Sequence, residues 1–250
     1  MKPITVHEWG QLIEEIAKCM QTHHDVGLWW RGQANSKWDL VPGTYRGSAK
    51  KFEQTRCNNF ILKGKSRHSV TPAHNDYVSW LFLMQHYRLH TRLLDWTESP
   101  LIALYFAIAE AESEKRSAAL WGLNPSKLNS CQAGREGTDI ILPRAPAVLP
   151  IIKDAFEFSN VPHSQKILAI AVEEFDIRHM VQMSACTIHG VSTPSNQLGE
   201  SDQFLVKLEI PAKDREVFKQ GLQMLGINRS MLFPDLENLA KELNSKTFTK

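Results

Sequence analysis

The segment QHYRLHTRLLDWTESPLIALYFAIAEAE, residues 85–112, sets Arg88, Arg92, Asp95, Trp96, Thr97 and Ser99 into a stretch otherwise apolar enough to be core. An arginine fork can grip a carboxylate or a phosphate through parallel hydrogen bonds. An aspartate beside it can hold that fork or accept from a ribose hydroxyl. Arg92 and Asp95 offer this combination, and the bland alternative is a buried Arg92–Asp95 pair. Ser99-Pro100 reads as a helix start, a side-chain cap followed by proline at the first helical position. The free amides of that first turn favour an anion such as phosphate. LWWRGQ, residues 28–33, is the second candidate. Arg31 closes a short apolar strand, and Gly32 lets backbone approach a ligand closely. Trp29 and Trp30 fall on opposite faces of such a strand, so only one of them can belong to a site. The alternative there is a pair of core tryptophans with a surface arginine.

Other signals are weaker. Residues 44–68 carry Arg46, Lys50, Lys51, Arg56, Lys63, Lys65 and Arg67 against Glu53 alone. That run can track phosphates as a nucleic-acid face, or it is a solvated helix. The ten histidines include no H-x-x-x-H on a helix and no H-E-x-x-H, so no metal is expected. His86 stands at a helix end beside the proposed pocket, as a donor, an acid or a partner of the helix dipole. The absence of G-x-S-x-G, a Walker loop or a dinucleotide fingerprint argues against hydrolase, P-loop and Rossmann readings.

The elements that must position these residues are partly legible. Thr5 and Glu8 have capping-box spacing, and Trp9, Leu12, Ile13, Ile16, Ala17 and Met20 then recur at helical period. VGLWW, RLLDW, AALWGL, ACTIHG and QFLVKLEIP read as strands, and RHMVQMSACTIHG as the strand that would carry Gln182. Helices are expected over 50–63, after Asn75, after Ser99 (with Leu101, Leu104, Tyr105, Ile108 and Ala109 inward), and over 212–225 and 234–243. KILAIAVEEF is ambiguous between helix and strand. Residues 126–165 are proline-rich and read as long loops or a variable insert, with DIIL as one candidate strand. The tail SKTFTK should fray.

With 250 residues, 42% of them hydrophobic, and neither repeat nor linker, the chain is expected to form one α+β domain over residues 1–250. Its sheet is expected to be small, mixed or split antiparallel, and flanked by helices. A net charge of +2 is no signal for nucleic acid by itself. The four cysteines show no C-x-x-C or zinc spacing, which suits free thiols in a reducing compartment. With no signal-peptide core and no apolar run of membrane length, a cytoplasmic protein without a membrane partner is expected. Seven tryptophans are more than this length needs, and a tryptophan-rich surface for a protein partner is a further reading.

Three blocks resemble the FRG domain family: WWRGQANSKWDLVPGTYR, MQHYRLHTRLLDWTESPLIALYFA and LFPDLENLAKEL. Trp30 stands where that family usually has Phe or Tyr, Arg88 where it has Gly, and His90 where it has Pro. The family includes interaction or enzyme domains of bacteria and phage. A fainter similarity, to ADP-ribosyltransferases of the Arg-Ser-Glu type, implies an ADP-ribosyltransferase-like split sheet and NAD as substrate. Under it Arg31 would take the nicotinamide-side phosphate, Thr97 and Ser99 the hydroxyl role, and Gln182 the place of the catalytic glutamate. Gly32 and Gln33 complete the first motif, Trp30 or Tyr87 would stack on a base, and Arg92 with Asp95 would brace the floor. A neutral glutamine supports an oxocarbenium ion far less than a carboxylate does. Asp95 and Glu98 are the alternative carboxylates, with Glu173 and Glu174 one element early. The resemblance therefore implies a toxin, defence component or macromolecule modifier that binds NAD, or a module that binds nucleotide or nucleic acid without chemistry.

Overall fold

Strands that are apolar on both faces need cover on both sides, and Ala118–Leu123 and Ile167–Ile170, apolar and buried throughout, are of that kind. The computed structural model describes residues 2–22, 27–67, 70–108, 115–159, 161–174 and 176–245. In chain order the elements begin with β1 (Ile4–Thr5), α1 (Trp9–Thr22), β2 (Trp29–Gln33), α2 (Glu53–Gly64) and α3 (Tyr77–His86). They continue with β3 (Leu93–Thr97), α4 (Pro100–Ile108), β4 (Ala118–Leu123), α5 (Pro125–Ala133), α6 (Leu149–Phe156) and β5 (Ile167–Ile170). Last come α7 (Ile177–Val181), β6 (Ser184–His189), α8 (Ser201–Phe204), β7 (Leu205–Ile210), α9 (Arg215–Met224), α10 (Arg229–Leu232) and α11 (Leu236–Ser245). The fold is α+β, one seven-stranded mixed sheet ordered β1-β7-β4-β2-β3-β6-β5, wider than the small sheet expected. Only the β1–β7 pair is parallel among the named strands.

The pleat decides where the tryptophans go. Trp29 packs with Leu40, Trp96 and Trp121 on one face, and Trp30 packs with Ala103, Leu120 and Leu208 on the other. Both are buried, as are Trp80, Trp96 and Trp121. Trp9 lies against Phe218, and Trp38 is the exposed one. The tryptophan-rich surface is therefore not there: these rings are core, each removing roughly 150–250 Å² from water. α1, α4 and α9 cover the Trp30 face, and α2, α3 and α6 enclose a further cluster over Leu93, Leu168 and Ile188.

The sheet is split at the position that matters. β2 pairs with β4 at all five of its residues, yet it meets β3 at one position alone, Trp30 opposite Thr97. Beyond that point the strands diverge, and Arg31 reaches across the gap to donate through Nη1 to the Asp95 carbonyl. Gly32 holds β2 against α4: a Cβ there would stand 1.9 Å from the Ala103 carbonyl oxygen and 2.5 Å from the Ala107 amide nitrogen.

Several local expectations change. Thr5 lies in β1 and makes no capping box with Glu8. Instead Gln11 closes the turn, accepting from the His7 amide at 2.9 Å and donating to the Thr5 carbonyl at 2.9 Å. Ile13 and Met20, although part of that helical repeat, are exposed. Asp76 rather than Asn75 caps α3, accepting from the Ser79 amide. The 126–165 region holds α5 and α6, not long loops alone. Asn124 caps α5 with Pro125 in its first turn, and Ile141 of DIIL bridges Ile170. KILAIAVEEF resolves to strand β5, its helical period overridden by pairing with β6. RHMV is helix α7, because Asp176 caps it at the amides of Arg178 and His179, and the strand begins only at Ser184. Val26, Ala109, Phe175 and the tail beyond residue 245 lie outside the described residues. Among the described residues no helix is long and apolar enough to cross a membrane, and all four cysteines are free thiols.

Candidate functional site

The gap between β2 and β3 opens into a cavity of about 850 Å³, lined by Trp30, Arg31, Gly32 and Gln33 from β2 and by Asp95, Trp96 and Thr97 from β3. Gln182, at the end of α7, lines it too. Because the sheet parts here, side chains from both of its faces reach the same space. Arg46, Arg178, His86 and His179 also line it, together with Trp38 and Phe106. Arg31, Arg46, Arg178 and Lys37 outweigh Asp39 and Asp95 in charge, so the lining is cationic. A smaller cavity of about 390 Å³ shares the Arg31, Arg46, Asp95 and Arg178 wall and adds Arg88 and Arg229. A cavity of this size with aromatic walls and a few fixed charges suits a small ligand.

Arg31 is the centre of that charge. Its Nε is buried and has no hydrogen-bond partner among the described residues, so one arm of the fork is available to an anion. Burial pushes the guanidinium down to about 10, with Asp95 raising it and Arg46 lowering it further. At neutral pH it is still a cation, and an opposite charge beside it offsets part of the cost of its burial, as Asp95 does. Burial is also the main cause that lowers Arg178, followed by the charge of Arg88.

Asp95 is the positioned carboxylate. Gln85 at the end of α3 donates its amide to both Asp95 oxygens, at 2.8 and 2.7 Å, and Thr91 donates to Gln85 from behind. Thr97 and Gln182 are committed differently. The Thr97 hydroxyl donates to the Gln182 carbonyl at 2.7 Å and accepts from the Ser99 amide at 3.1 Å. The Gln182 side-chain amide donates to the Leu232 carbonyl at 2.8 Å. The threonine thus fixes the Gln182 turn. Gln33 is similarly occupied, bonded to the Asp39 carbonyl and to the Trp121 indole.

Three residues from the sequence reading lie elsewhere. Ser99 caps α4, its hydroxyl 3.4 Å from the Ile102 amide, and is outside the cavity lining. Tyr87 is exposed and sits edge-on to the His86 ring. Arg92 makes no pair with Asp95: it is 2% exposed, and its Nε and Nη2 donate to the two oxygens of fully buried Glu53, each at 2.8 Å. The odd-numbered side chains of β3 share a face, but Arg92 precedes the strand and turns toward α2. The basic run 44–68 is also divided. Arg46 faces the cavity and Lys50 pairs with Glu53, while Lys51, Lys63, Lys65 and Arg67 are exposed.

Sequence reasoning missed Gln85, Arg178 and His179. Gln85 carried no signal of its own in the 85–112 segment, and Arg178 and His179 lay in a segment read as strand. His86 and Arg46 had been noticed for other reasons.

Nothing among the curated proteins and nothing among the solved structures matches this chain. Residues 27–116 match the family model of the FRG domain. That span contributes β2, β3 and α4, while Arg178, His179 and Gln182 come from beyond it. The split, Arg31 and Asp95 therefore lie within the span that is similar to the FRG domain.

Proposed function

We propose that this cavity binds NAD or a closely related anionic dinucleotide, and that the protein is an ADP-ribosyltransferase or NAD glycohydrolase. One observation carries the reading: Arg31, Asp95, Thr97 and Gln182, drawn from three separate segments, line one cationic cavity with aromatic walls. The arginines suit a pyrophosphate, and Trp38 or Phe106 offers a ring face to a base, whereas Trp30 is buried in the core and has no face to offer. In the reaction the bond between ribose C1′ and the nicotinamide nitrogen breaks, and its electron pair leaves with nicotinamide. The ribose becomes oxocarbenium-like until water or a macromolecular acceptor adds at C1′ and loses a proton. Asp95, held by Gln85, is the carboxylate that would stabilise that developing charge. Gln182 is neutral and its amide is committed to the Leu232 carbonyl, so it serves as a wall. That same feature favours a second reading, a nucleotide sensor without chemistry. The cellular role that goes with the enzyme reading is a toxin, defence component or macromolecule modifier.

Nicotinamide release from NAD by wild type and Asp95→Asn is the test. The enzyme reading expects release from wild type and a loss of about 10²–10³-fold in the variant, with binding retained. Binding without release in wild type assigns the sensor. Release that is unchanged in Asp95→Asn removes Asp95 from its role. Nucleic-acid contact through Lys51, Lys63, Lys65 and Arg67 would appear separately, as salt-steep binding that survives Arg31→Ala.

A further inference from the structure

We propose that His86, Asp176 and His179 form a divalent transition-metal site on the rim of the cavity. His86 is the last residue of α3, whereas Asp176 caps α7 and His179 lies within it, so the tertiary fold brings the three together. His86 Nε2 stands 3.2 Å from Asp176 Oδ2, and His179 Nδ1 stands 3.4 Å from Asp176 Oδ1. All three potential ligand atoms lie within 4.8 Å of one another. Ligands bonded at roughly 2.1 Å around one tetrahedral ion are spaced by about 3.4 Å, and the two nitrogen–oxygen separations, which run to different oxygens of Asp176, are of that size.

The carboxylate is held for the task. Asp176 Oδ1 accepts from the amides of Arg178 at 3.0 Å and His179 at 3.4 Å, which orients the group at the head of α7. The imidazoles are sheltered, with side-chain exposures of 16% for His86 and 15% for His179. Two imidazoles and one carboxylate suit borderline ions such as Zn²⁺, Co²⁺, Ni²⁺ or Fe²⁺ rather than Mg²⁺ or Ca²⁺. Three protein ligands leave positions open, as catalytic and substrate-binding sites do. Both histidines line the cavity, so water or a phosphate oxygen of a bound ligand can complete the shell. Arg178 and Arg88 oppose a bare dication electrostatically, and Asp95 and Asp235 offset them. The site needs no nucleotide, and its test is independent of the NAD reading.

Titration of the purified chain with Co²⁺ alone, followed by its visible absorption, tests the proposal. The expected result is one ion per chain with d–d bands, displaced by Zn²⁺ and erased by chelator. His86→Ala and His179→Ala should each weaken binding by more than the roughly 10–100-fold that losing a partner of a ligand costs. Exposed His74→Ala should leave it unchanged. His86→Gln, closer in size, serves if the alanine variant fails to fold. Absence of bands in wild type, or bands that persist in the His86→Ala/His179→Ala double variant, would overturn the site.

Discussion

Arg92→Met is expected to destabilise the fold by about 3–4 kcal/mol while leaving the ligand cavity intact. Arg92 and Glu53 are 2% and 0% exposed, and two bonds of 2.8 Å join them. Removing one member of such a buried pair strands the other charge, which typically costs about 3–5 kcal/mol. The Ile151 and Asp154 carbonyls also lose their donor, a cost contained in that figure. Lys50 works in the opposite direction: it reaches Glu53 from the solvent side and keeps part of its charge compensated, which places the sum toward the lower half of that range. Glu53→Met in the same chain removes the stranded carboxylate, so the double variant should recover to within about 1–2 kcal/mol of wild type. Urea unfolding of wild type, both single variants and the double variant gives the four free energies and their coupling. A cost below about 1 kcal/mol for Arg92→Met, or strictly additive single effects, would refute the reasoning. Loss of ligand binding at unchanged stability would instead return Arg92 to the site.

Two further outcomes follow from local strain and burial. Arg88 has φ 61, the left-handed region that suits glycine, and its side chain lines the smaller cavity. Arg88→Gly should therefore hold or raise stability by up to about 1 kcal/mol while weakening a phosphate-bearing ligand about 10-fold. Thermal unfolding and calorimetric titration of the same variant separate these effects, and a drop in both would contradict the account. Burial, aided by the charge of Arg31, pushes the His189 imidazole down to about 3. The unfolded chain then binds the extra proton between pH 6.5 and 3, so the stability held above pH 6.5 is lost as pH falls through that window. The loss should reach about 2 kcal/mol by pH 5. Urea unfolding of wild type and His189→Leu at pH 7 and 5 should show this excess slope only in wild type.

What the sequence disclosed was mostly local. α4 was legible because Ser99-Pro100 is a cap-and-start signal, and β2, β3 and β4 because short apolar runs ended at Arg-Gly, Thr-Glu-Ser and Asn-Pro. The join of Arg31, Asp95, Thr97 and Gln182 was anticipated from family resemblance, since nothing in their spacing encodes the parting of β2 from β3. Arg92 was misassigned for a related reason. Its partner Glu53 was the lone acid in a basic run, and sequence gives no measure of how deeply α2 buries it. α7 was read as strand because five residues show too little period, and its cap on Asp176 went unnoticed. His86 and the Asp176-x-x-His179 spacing are separated by all the elements from β3 to β5, so no metal motif could appear in the linear pattern.

The NAD reading depends above all on the proposed grip of Arg31, in the split, on a phosphate-bearing ligand. Calorimetric titration of NAD into wild type and Arg31→Ala tests it most directly. Saturable binding to wild type is expected, lost in a variant whose unfolding transition is unchanged. Equal binding by both proteins, or none by wild type, would contradict it.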